Sequence, residues 1–358
     1  MRRVENAARG FSTGCALVDN AARLSTLRTA FTAYPRIIRA IANHPQVAAV
    51  SRVQSNGIEI EYEEFGDPQA PVILLIMGLG MQLVAWPRPF CEMLAAAGFR
   101  VIRFDNRDVG LSSKIEGRRT PSMLRLIMSM LLGRKLRRPP YTLDDMAADT
   151  VGLLAALGIE RAHIVGASMG GMIAQTIAAR YPLRVLSLTS IMSTSGDREE
   201  SAMELRNLRK IFLRPRPPSD ATRDEVVEYM ATTHALIGSA EHLREVSHLR
   251  DMLNQSFERG YYPAGFMRQV AAIVAHGSRR ALLRQIRTPT LVIHGKRDIL
   301  VPPRGGLDTA AHILGARMEL IDDMGHDLPP GLWGQLSTLI SQHCRQAAAA
   351  PQAQLGDL

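Results

Sequence analysis

The sequence has few cysteines and no long apolar run, and each shortage argues against a class of protein. Its three cysteines, Cys15, Cys91 and Cys344, lie far apart and form no C-x-x-C pair. An odd, scattered set of thiols argues against a disulfide framework and a structural zinc site, and it suits a reducing compartment. No segment reaches the roughly 18 apolar residues that a membrane-spanning helix needs. We therefore expect a cytoplasmic protein without a transmembrane segment.

The positive charge is confined to two segments, and neither has the pattern of a nucleic-acid binding site. The formal net charge is +9, yet residues 1–50 carry seven arginines against two acidic residues, and residues 114–140 carry eight basic residues against one. The rest of the chain is slightly acidic. No aromatic residue interleaves with the basic cluster Arg134–Arg138. We therefore expect no nucleic-acid partner.

Cofactor motifs are missing as well. The sequence contains neither a dinucleotide-binding glycine fingerprint nor the P-loop pattern G-x-x-x-x-G-K-[ST], and no residues are spaced as a cluster of metal ligands. We expect neither a metal nor an organic cofactor, so any chemistry must come from the side chains.

From residue 51 onward, short apolar runs alternate with helical patterns. The segment "IEIEYEEF" after Asn56-Gly57 predicts one strand of a hairpin, and "PVILLIM", "RVIRFD", "AHIVGAS" and "RVLSLTSIM" predict further strands. Helical segments lie between them. This alternation predicts an α/β protein with a mostly parallel, twisted sheet flanked by helices, whose ligands bind at the carboxyl ends of the strands.

The alternation pauses once, and the pause suggests the domain organisation. Residues 196–280 read as mainly helical, so we expect a helical cap between two parts of the α/β core. The predicted segments are an N-terminal helical extension (1–50), the first part of the core (51–195, with an insertion at 114–140), the helical cap (196–280), the second part of the core (281–345) and a disordered tail (346–358).

A serine in a glycine-rich turn is the candidate nucleophile. Ser168 lies in "GASMGG", between the predicted strand "AHIVGA" and a predicted helix. The pattern G-x-S-x-G at such a junction is typical of a strained turn that exposes the serine hydroxyl. Small residues at Gly166 and Gly170 are needed because strand and helix come very close there. The pattern alone also fits a plain turn, so the assignment of Ser168 as a nucleophile depends on finding a base and an acid that could lie beside it.

The base and the acid are expected on loops that follow the last two strands. Of ten histidines, His326 alone follows the last predicted strand, in "LIDDMGHDLPP". Asp298 follows the preceding strand, and Asp197, after the strand before the cap, is the alternative acid. His294 is expected to be a buried strand residue and not a base. The chain order Ser168, Asp298, His326 matches that of a known Ser-Asp-His hydrolase triad.

The loop "MGLGMQLVAWP", which follows "PVILLIM", is expected to complete the site. The backbone N–H groups of Met169 and Leu79 are the expected oxyanion donors. Two glycines in the loop allow the unusual backbone that such a loop requires. Gly78, Gln82 and Trp86 are expected to contact the substrate.

Taken together, these segments resemble the α/β-hydrolase superfamily. The strings "MGLGMQLVAWP", "RFDNRDVGLSS", "GASMGGMIAQ", "HGKRDILVP" and "MGHDLP", spread over residues 55–343, are similar to its bacterial esterase branch, which includes aclacinomycin methylesterase. The resemblance implies that Ser168 is the nucleophile, Asp298 the acid and His326 the base. It also implies a structural role for Asp105 and Arg107, which brace the nucleophile strand and the oxyanion loop.

The oxyanion loop departs from the family pattern at one place. Many members have His-Gly at the start of this loop, whereas this chain has Met77-Gly78. The oxyanion donor is a backbone N–H group, so the oxyanion hole is expected to survive. The local hydrogen bonds of the histidine are absent, so the rigidity of the loop needs another source.

The expected function is hydrolysis of a small-to-medium apolar carboxylic ester through an acyl-enzyme. Perhydrolysis of the cofactor-free haloperoxidase type and acyl transfer use the same triad and stay open, as does a non-catalytic ligand-binding member of the fold. The apolar, Met-containing insertion at 114–140 is expected to form a lid wall, with a dimer contact or a membrane-surface anchor as alternatives. Monomer and homodimer are both compatible with the sequence.

Overall fold

In the described part of the chain, eight strands form one sheet. They are Ser51–Ser55 (β1), Ile58–Phe65 (β2), Val72–Ile76 (β3), Arg100–Phe104 (β4), Ala162–Ala167 (β5), Val185–Ile191 (β6), Thr290–Gly295 (β7) and Arg317–Ile321 (β8). Their order across the sheet is β1-β2-β4-β3-β5-β6-β7-β8. β1 and β2 form an antiparallel hairpin, β2 pairs antiparallel with β4, and all other neighbours are parallel. The predicted α/β class with a mostly parallel sheet is confirmed.

The computed structural model describes residues 51–117, 138–239 and 246–349, except positions 213, 216 and 219, together with six positions between 118 and 137. The predicted N-terminal extension 1–50, most of the insertion 114–140 and the last nine residues lie outside the described residues. Within the described ranges, no helix has both the length and the apolar character needed to cross a membrane.

Ten α-helices are described, most of them between strands. They are Arg88–Ala96 (α1), Leu143–Ala156 (α2), Met169–Arg180 (α3), Leu205–Phe212 (α4), Arg223–Ile237 (α5), Val246–Gly260 (α6), Pro263–His276 (α7), Arg280–Leu283 (α8), Pro303–Ala311 (α9) and Pro330–Ala349 (α10). Short 3-10 helices span Leu83–Ala85 and Pro182–Arg184. Thr142 caps α2 through a reciprocal pair of hydrogen bonds with Asp145, which explains why the helix begins there.

The sheet is buried on both faces, which is why its central strands are continuous apolar runs. All five residues of β3 are buried, and they alternate between two cores: Leu74 and Ile76 face one, whereas Ile73 and Leu75 face the other. Side chains of a strand point to opposite faces in turn, so a strand covered on both sides needs apolar residues at every position.

Five helices, α4 to α8, lie between β6 and β7, where the sequence predicts the cap at 196–280. The C-terminal end differs from the prediction. Helix α10 continues to Ala349, so residues 346–349 are helical and not part of a tail. The reason is composition: residues 347–349 are all alanine, which is the strongest helix former.

Candidate active site

Ser168 lies at a sharp turn between β5 and α3. Its backbone has φ +55° and ψ −119°, a conformation that non-glycine residues rarely adopt. The glycines on either side make this turn possible, because a Cβ at Gly166 would overlap the carbonyl of Gly170 and a Cβ at Gly170 would overlap the carbonyl of Ile76. The turn leaves the serine hydroxyl partly exposed at the carboxyl end of the sheet.

His326 lies on the loop after β8 and faces Ser168. Its Nε2 is 3.0 Å from Ser168 Oγ, and its Nδ1 is 2.7 Å from Asp298 Oδ2. A carboxylate can only accept a hydrogen bond, so Nδ1 carries the proton and Nε2 is left as an acceptor for the serine hydroxyl. The ring is therefore in the tautomer that a general base for Ser168 requires.

Asp298 follows β7, and its carboxylate has no exposed surface. Oδ1 accepts hydrogen bonds from the N–H groups of Leu300 and Val301, at 3.0 and 2.8 Å. Burial alone would raise the pKa of this carboxyl, but the attraction between the carboxylate and a protonated His326, together with the hydrogen bonds from His294 and His326, holds that pKa below its usual value. The carboxylate is therefore ionised near neutral pH, where it can accept the hydrogen bond from His326 Nδ1.

His294 contacts the same carboxylate, which the sequence did not indicate. It lies in β7 and is fully buried, as predicted, but its Nε2 is 2.9 Å from the carbonyl of Val301 and 3.4 Å from Asp298 Oδ2. The alternative acid, Asp197, does not pair with His326 and instead forms an ion pair with Arg280 at 2.8 Å. The structure thus brings Asp298, and not Asp197, to His326.

The loop after β3 lies directly against the serine. A Cβ added to Gly78 would come within 3.1 Å of Ser168 Cβ, so a larger residue at this position would crowd the serine. Among the described residues, the N–H of Leu79 has no acceptor. The N–H of Met169 is the first of α3 and has no acceptor within that helix. Met169 directly follows Ser168, and Leu79 directly follows the glycine that lies against Ser168, so both N–H groups belong to residues adjacent to this contact.

Two of the predicted substrate contacts are placed differently from the expectation. Gln82 is buried and donates through Nε2 to the carbonyls of Ser256 and Gly260, at 2.7 and 3.1 Å, so it ties the loop to α6. Trp86 has no exposed surface and stacks on Phe90 in the core. Trp86 follows the 3-10 helix Leu83–Ala85 directly and belongs to one of the two hydrophobic cores.

The segment after β4 is hydrogen bonded to the loop after β3. Asp105 accepts a hydrogen bond from the N–H of Leu83 at 2.7 Å, and Asn106 Nδ2 donates to the carbonyl of Met77 at 3.0 Å. Arg107 forms a buried ion pair with Asp149. None of these side chains contacts Ser168 in the described structure, which fits the structural role implied by the family resemblance.

The end of cap helix α5 is bonded to the loop that carries His326. The N–H of His326 donates to the carbonyl of Ile237 at 2.8 Å, and Ser239 donates to Asp327 through its N–H and its hydroxyl. His234, one turn earlier, is partly buried, and burial together with repulsion from a protonated His326 lowers its pKa to about 4. It is therefore neutral near neutral pH. No sequence pattern points to these contacts.

The side chains that the structure brings together indicate the chemistry that the site can perform. Among the residues that the structure describes, no three His, Cys, Asp or Glu side chains come together as a metal would require. A buried carboxylate, an oriented imidazole, a hydroxyl on a strained turn and two N–H groups are the parts needed for nucleophilic acyl transfer.

Comparison with known proteins gives the family. A family model described as the α/β-hydrolase fold matches residues 71–329, which is most of the chain. The chain belongs to the α/β-hydrolase family. The solved structure of an enol-lactonase from Burkholderia xenovorans LB400 has a TM-score of 0.62 at 24% identity and covers 82% of this chain and 100% of its own, which supports the fold alone.

Two curated relatives are similar over nearly their whole length. Rhodomycin D methylesterase of Streptomyces sp. strain C5 is 29% identical over 309 residues, which cover 80% of this chain and 94% of the relative. Rhodomycin D methylesterase of Streptomyces peucetius is 27% identical over 311 residues, which cover 82% and 98%. The predicted family and its esterase branch are thereby confirmed.

Proposed function

We propose that this α/β hydrolase is a serine esterase that cleaves a small-to-medium apolar carboxylic ester through an acyl-enzyme. The observation that carries the proposal is the unbroken chain of contacts from Asp298 through His326 to Ser168, with distances of 2.7 and 3.0 Å. Serine becomes a nucleophile only when a base accepts its proton, and this arrangement supplies the base in the correct tautomer.

Acylation begins when His326 Nε2 takes the proton of Ser168 Oγ as the oxygen attacks the ester carbonyl. The carbonyl oxygen gains a negative charge, and the N–H groups of Met169 and Leu79 stabilise it. The positive charge on the imidazolium is stabilised by the ionised Asp298. When the tetrahedral intermediate collapses, Nε2 gives its proton to the leaving alcohol, and the acyl group stays on Ser168.

Deacylation repeats these steps with water. His326 takes a proton from the water molecule, whose oxygen attacks the acyl carbonyl, and the same N–H groups stabilise the second oxyanion. The intermediate collapses with return of the proton to Ser168 Oγ. The products are the carboxylic acid and the free enzyme, so atoms and charges balance without a cofactor.

The printed names of the two Streptomyces relatives suggest the first substrates to test. Both are methylesterases, so we propose methyl esters with an apolar acyl part as the starting series. We further propose that the helices between β6 and β7 form a cap that bounds the acyl pocket, because α5 is hydrogen bonded to the His326 loop and the ring of Phe266 on α7 lies against Gly80.

The proposal is tested by hydrolysis of p-nitrophenyl and methyl esters and by labelling with a fluorophosphonate. Ser168→Ala should lower kcat on the order of 10⁶-fold, as loss of a triad nucleophile does in other hydrolases, and abolish labelling. Ser341→Ala, which removes a hydroxyl bonded within α10, is the matched control and should keep full activity. Ester turnover by folded Ser168→Ala at the wild-type rate would overturn the proposal.

A further inference from the structure

The loop from Met77 to Met81 needs an external support. The side chain of Met77 offers no strong donor or acceptor with which to fix the loop. The loop forms a turn closed by the Met81 N–H and the Gly78 carbonyl at 3.2 Å, and Gly80, its third residue, has φ +69°. Positive φ at this position is the mark of a type II turn, and rotation of the peptide between Leu79 and Gly80 would convert it to type I.

A glutamine of the cap fixes that peptide. Gln269 lies on α7, has no exposed surface, and accepts a hydrogen bond from the Gly80 N–H at 2.8 Å. Its Nε2 donates to the carbonyl of Arg107 at 2.9 Å. Phe266, one turn earlier on the same helix, lies over Gly80, where an added Cβ would come within 2.7 Å of its ring. The Gly80 N–H is thus enclosed and has one acceptor.

The amide of Gln269 can hold only one orientation. A flipped amide would set its NH₂ group against the Gly80 N–H and its oxygen against the Arg107 carbonyl, so both hydrogen bonds would become repulsive contacts. Both ends of the amide are therefore used, and the turn is tied to the segment after β4. Because the Gly80 N–H is occupied, the N–H of Leu79 is the one left for the oxyanion.

We propose that Gln269 is the positioning residue of the oxyanion hole. It holds the turn at residues 78–81 in the form that leaves the Leu79 N–H free beside Ser168. Gln269 does not contact the reacting atoms: its two hydrogen bonds go to the Gly80 N–H and the Arg107 carbonyl. The inference rests on the proposed serine esterase function.

The first test removes the polar atoms and keeps the side-chain volume. Gln269→Met should lower kcat on the order of 10- to 100-fold, somewhat less than the loss of a complete oxyanion donor, with little change in KM. The rate of fluorophosphonate labelling should fall in parallel, because phosphonylation also uses the oxyanion hole. The matched control is Gln175→Met, which removes an equally buried amide whose partners are Ser190 and Arg279.

The second test is a pH profile that a merely structural role would not change. In Gln269→Glu, the neutral acid can accept from the Gly80 N–H and donate to the Arg107 carbonyl, so both hydrogen bonds are kept. Burial raises the pKa of such a carboxyl, and ionisation then removes its donor. The ratio of variant to wild-type kcat should be near one at about pH 6 and fall at least about fivefold by about pH 9. The ratio for Gln269→Met should not change with pH.

The outcomes separate this inference from the proposed function. If the wild type has no Ser168-dependent ester hydrolysis, the proposed function fails. If that activity is present but folded Gln269→Met keeps kcat within about threefold, or loses no more than Gln175→Met does, the inference is overturned. If Gln269→Met does not fold, the test is the ratio of Gln269→Glu to wild-type kcat as a function of pH. A ratio that does not change with pH overturns the inference.

Discussion

Replacing Asp298 with asparagine should invert the proton arrangement of His326. The two oxygens of Asp298 have different partners: Oδ1 accepts from the N–H groups of Leu300 and Val301, whereas Oδ2 faces His326 Nδ1. In Asp298→Asn, the two N–H groups require the amide oxygen at the Oδ1 position, so the NH₂ group must face the imidazole. Nδ1 then becomes an acceptor, and Nε2 carries a proton toward Ser168 and can no longer serve as a base.

The expected loss in kcat is on the order of 10⁴-fold, the effect of a wrong tautomer in another Ser-His-Asp hydrolase. At about 1.36 kcal/mol for each factor of ten, this is about 5.4 kcal/mol of transition-state stabilisation. The assay is kcat for p-nitrophenyl acetate, with circular dichroism to verify folding. Asp197→Asn is the control: it weakens the ion pair with Arg280 and should leave kcat nearly unchanged. A folded Asp298→Asn enzyme within tenfold of the wild type would refute the reasoning.

Three further predictions concern stability and reactivity. Burial lowers the pKa of His163 to about 4, so the unfolded chain binds a proton at this residue more readily than the folded protein does. As the pH falls from about 6.5 to 4, the free energy of unfolding should therefore decrease by up to about 3 kcal/mol. Urea unfolding of the wild type and of His163→Gln at several pH values tests this. Burial raises the pKa of Cys91 and Cys344 to about 12, so mapping of alkylated peptides at about pH 8 should find both modified only after unfolding. Gly170→Ala should lower the free energy of unfolding by about 3 kcal/mol or prevent folding, because its Cβ would overlap the Ile76 carbonyl; a wild-type midpoint in urea would contradict this.

The proposed triad could be located from the sequence because topology places it. In a parallel sheet all carboxyl ends meet at one edge, so a residue type that follows a predicted strand is already assigned to that edge. Ser168, Asp298 and His326 each follow a strand in this way, and the structure brings them within hydrogen-bond distance of one another. The choice between Asp298 and Asp197 needed the structure, because both follow neighbouring strands.

Side-chain direction within loops could not be predicted in the same way. A loop has no period that assigns alternate residues to opposite faces, so the expectation that Gln82 and Trp86 contact substrate had no geometric basis. In the structure Trp86 lies in the core, and Gln82 donates a hydrogen bond to α6. Similarly, His294 reads as a strand residue, and only the fold places its ring beside Asp298.

The sequence predicted a helical cap at 196–280 but none of its contacts with the core, and these contacts argue against a lid that opens freely. The Gly80–Gln269 bond joins residues 189 positions apart, and the bond from the His326 N–H to Ile237 joins another cap helix to the base. A third link, from Arg259 to Asp105, is an ion pair with little exposed surface. If helices α5 to α7 moved away together, the oxyanion loop and the His326 loop would both lose partners, and a buried charge on Asp105 would be left uncompensated. We therefore expect the proposed cap to keep these three contacts while substrate enters and to bound the site without opening.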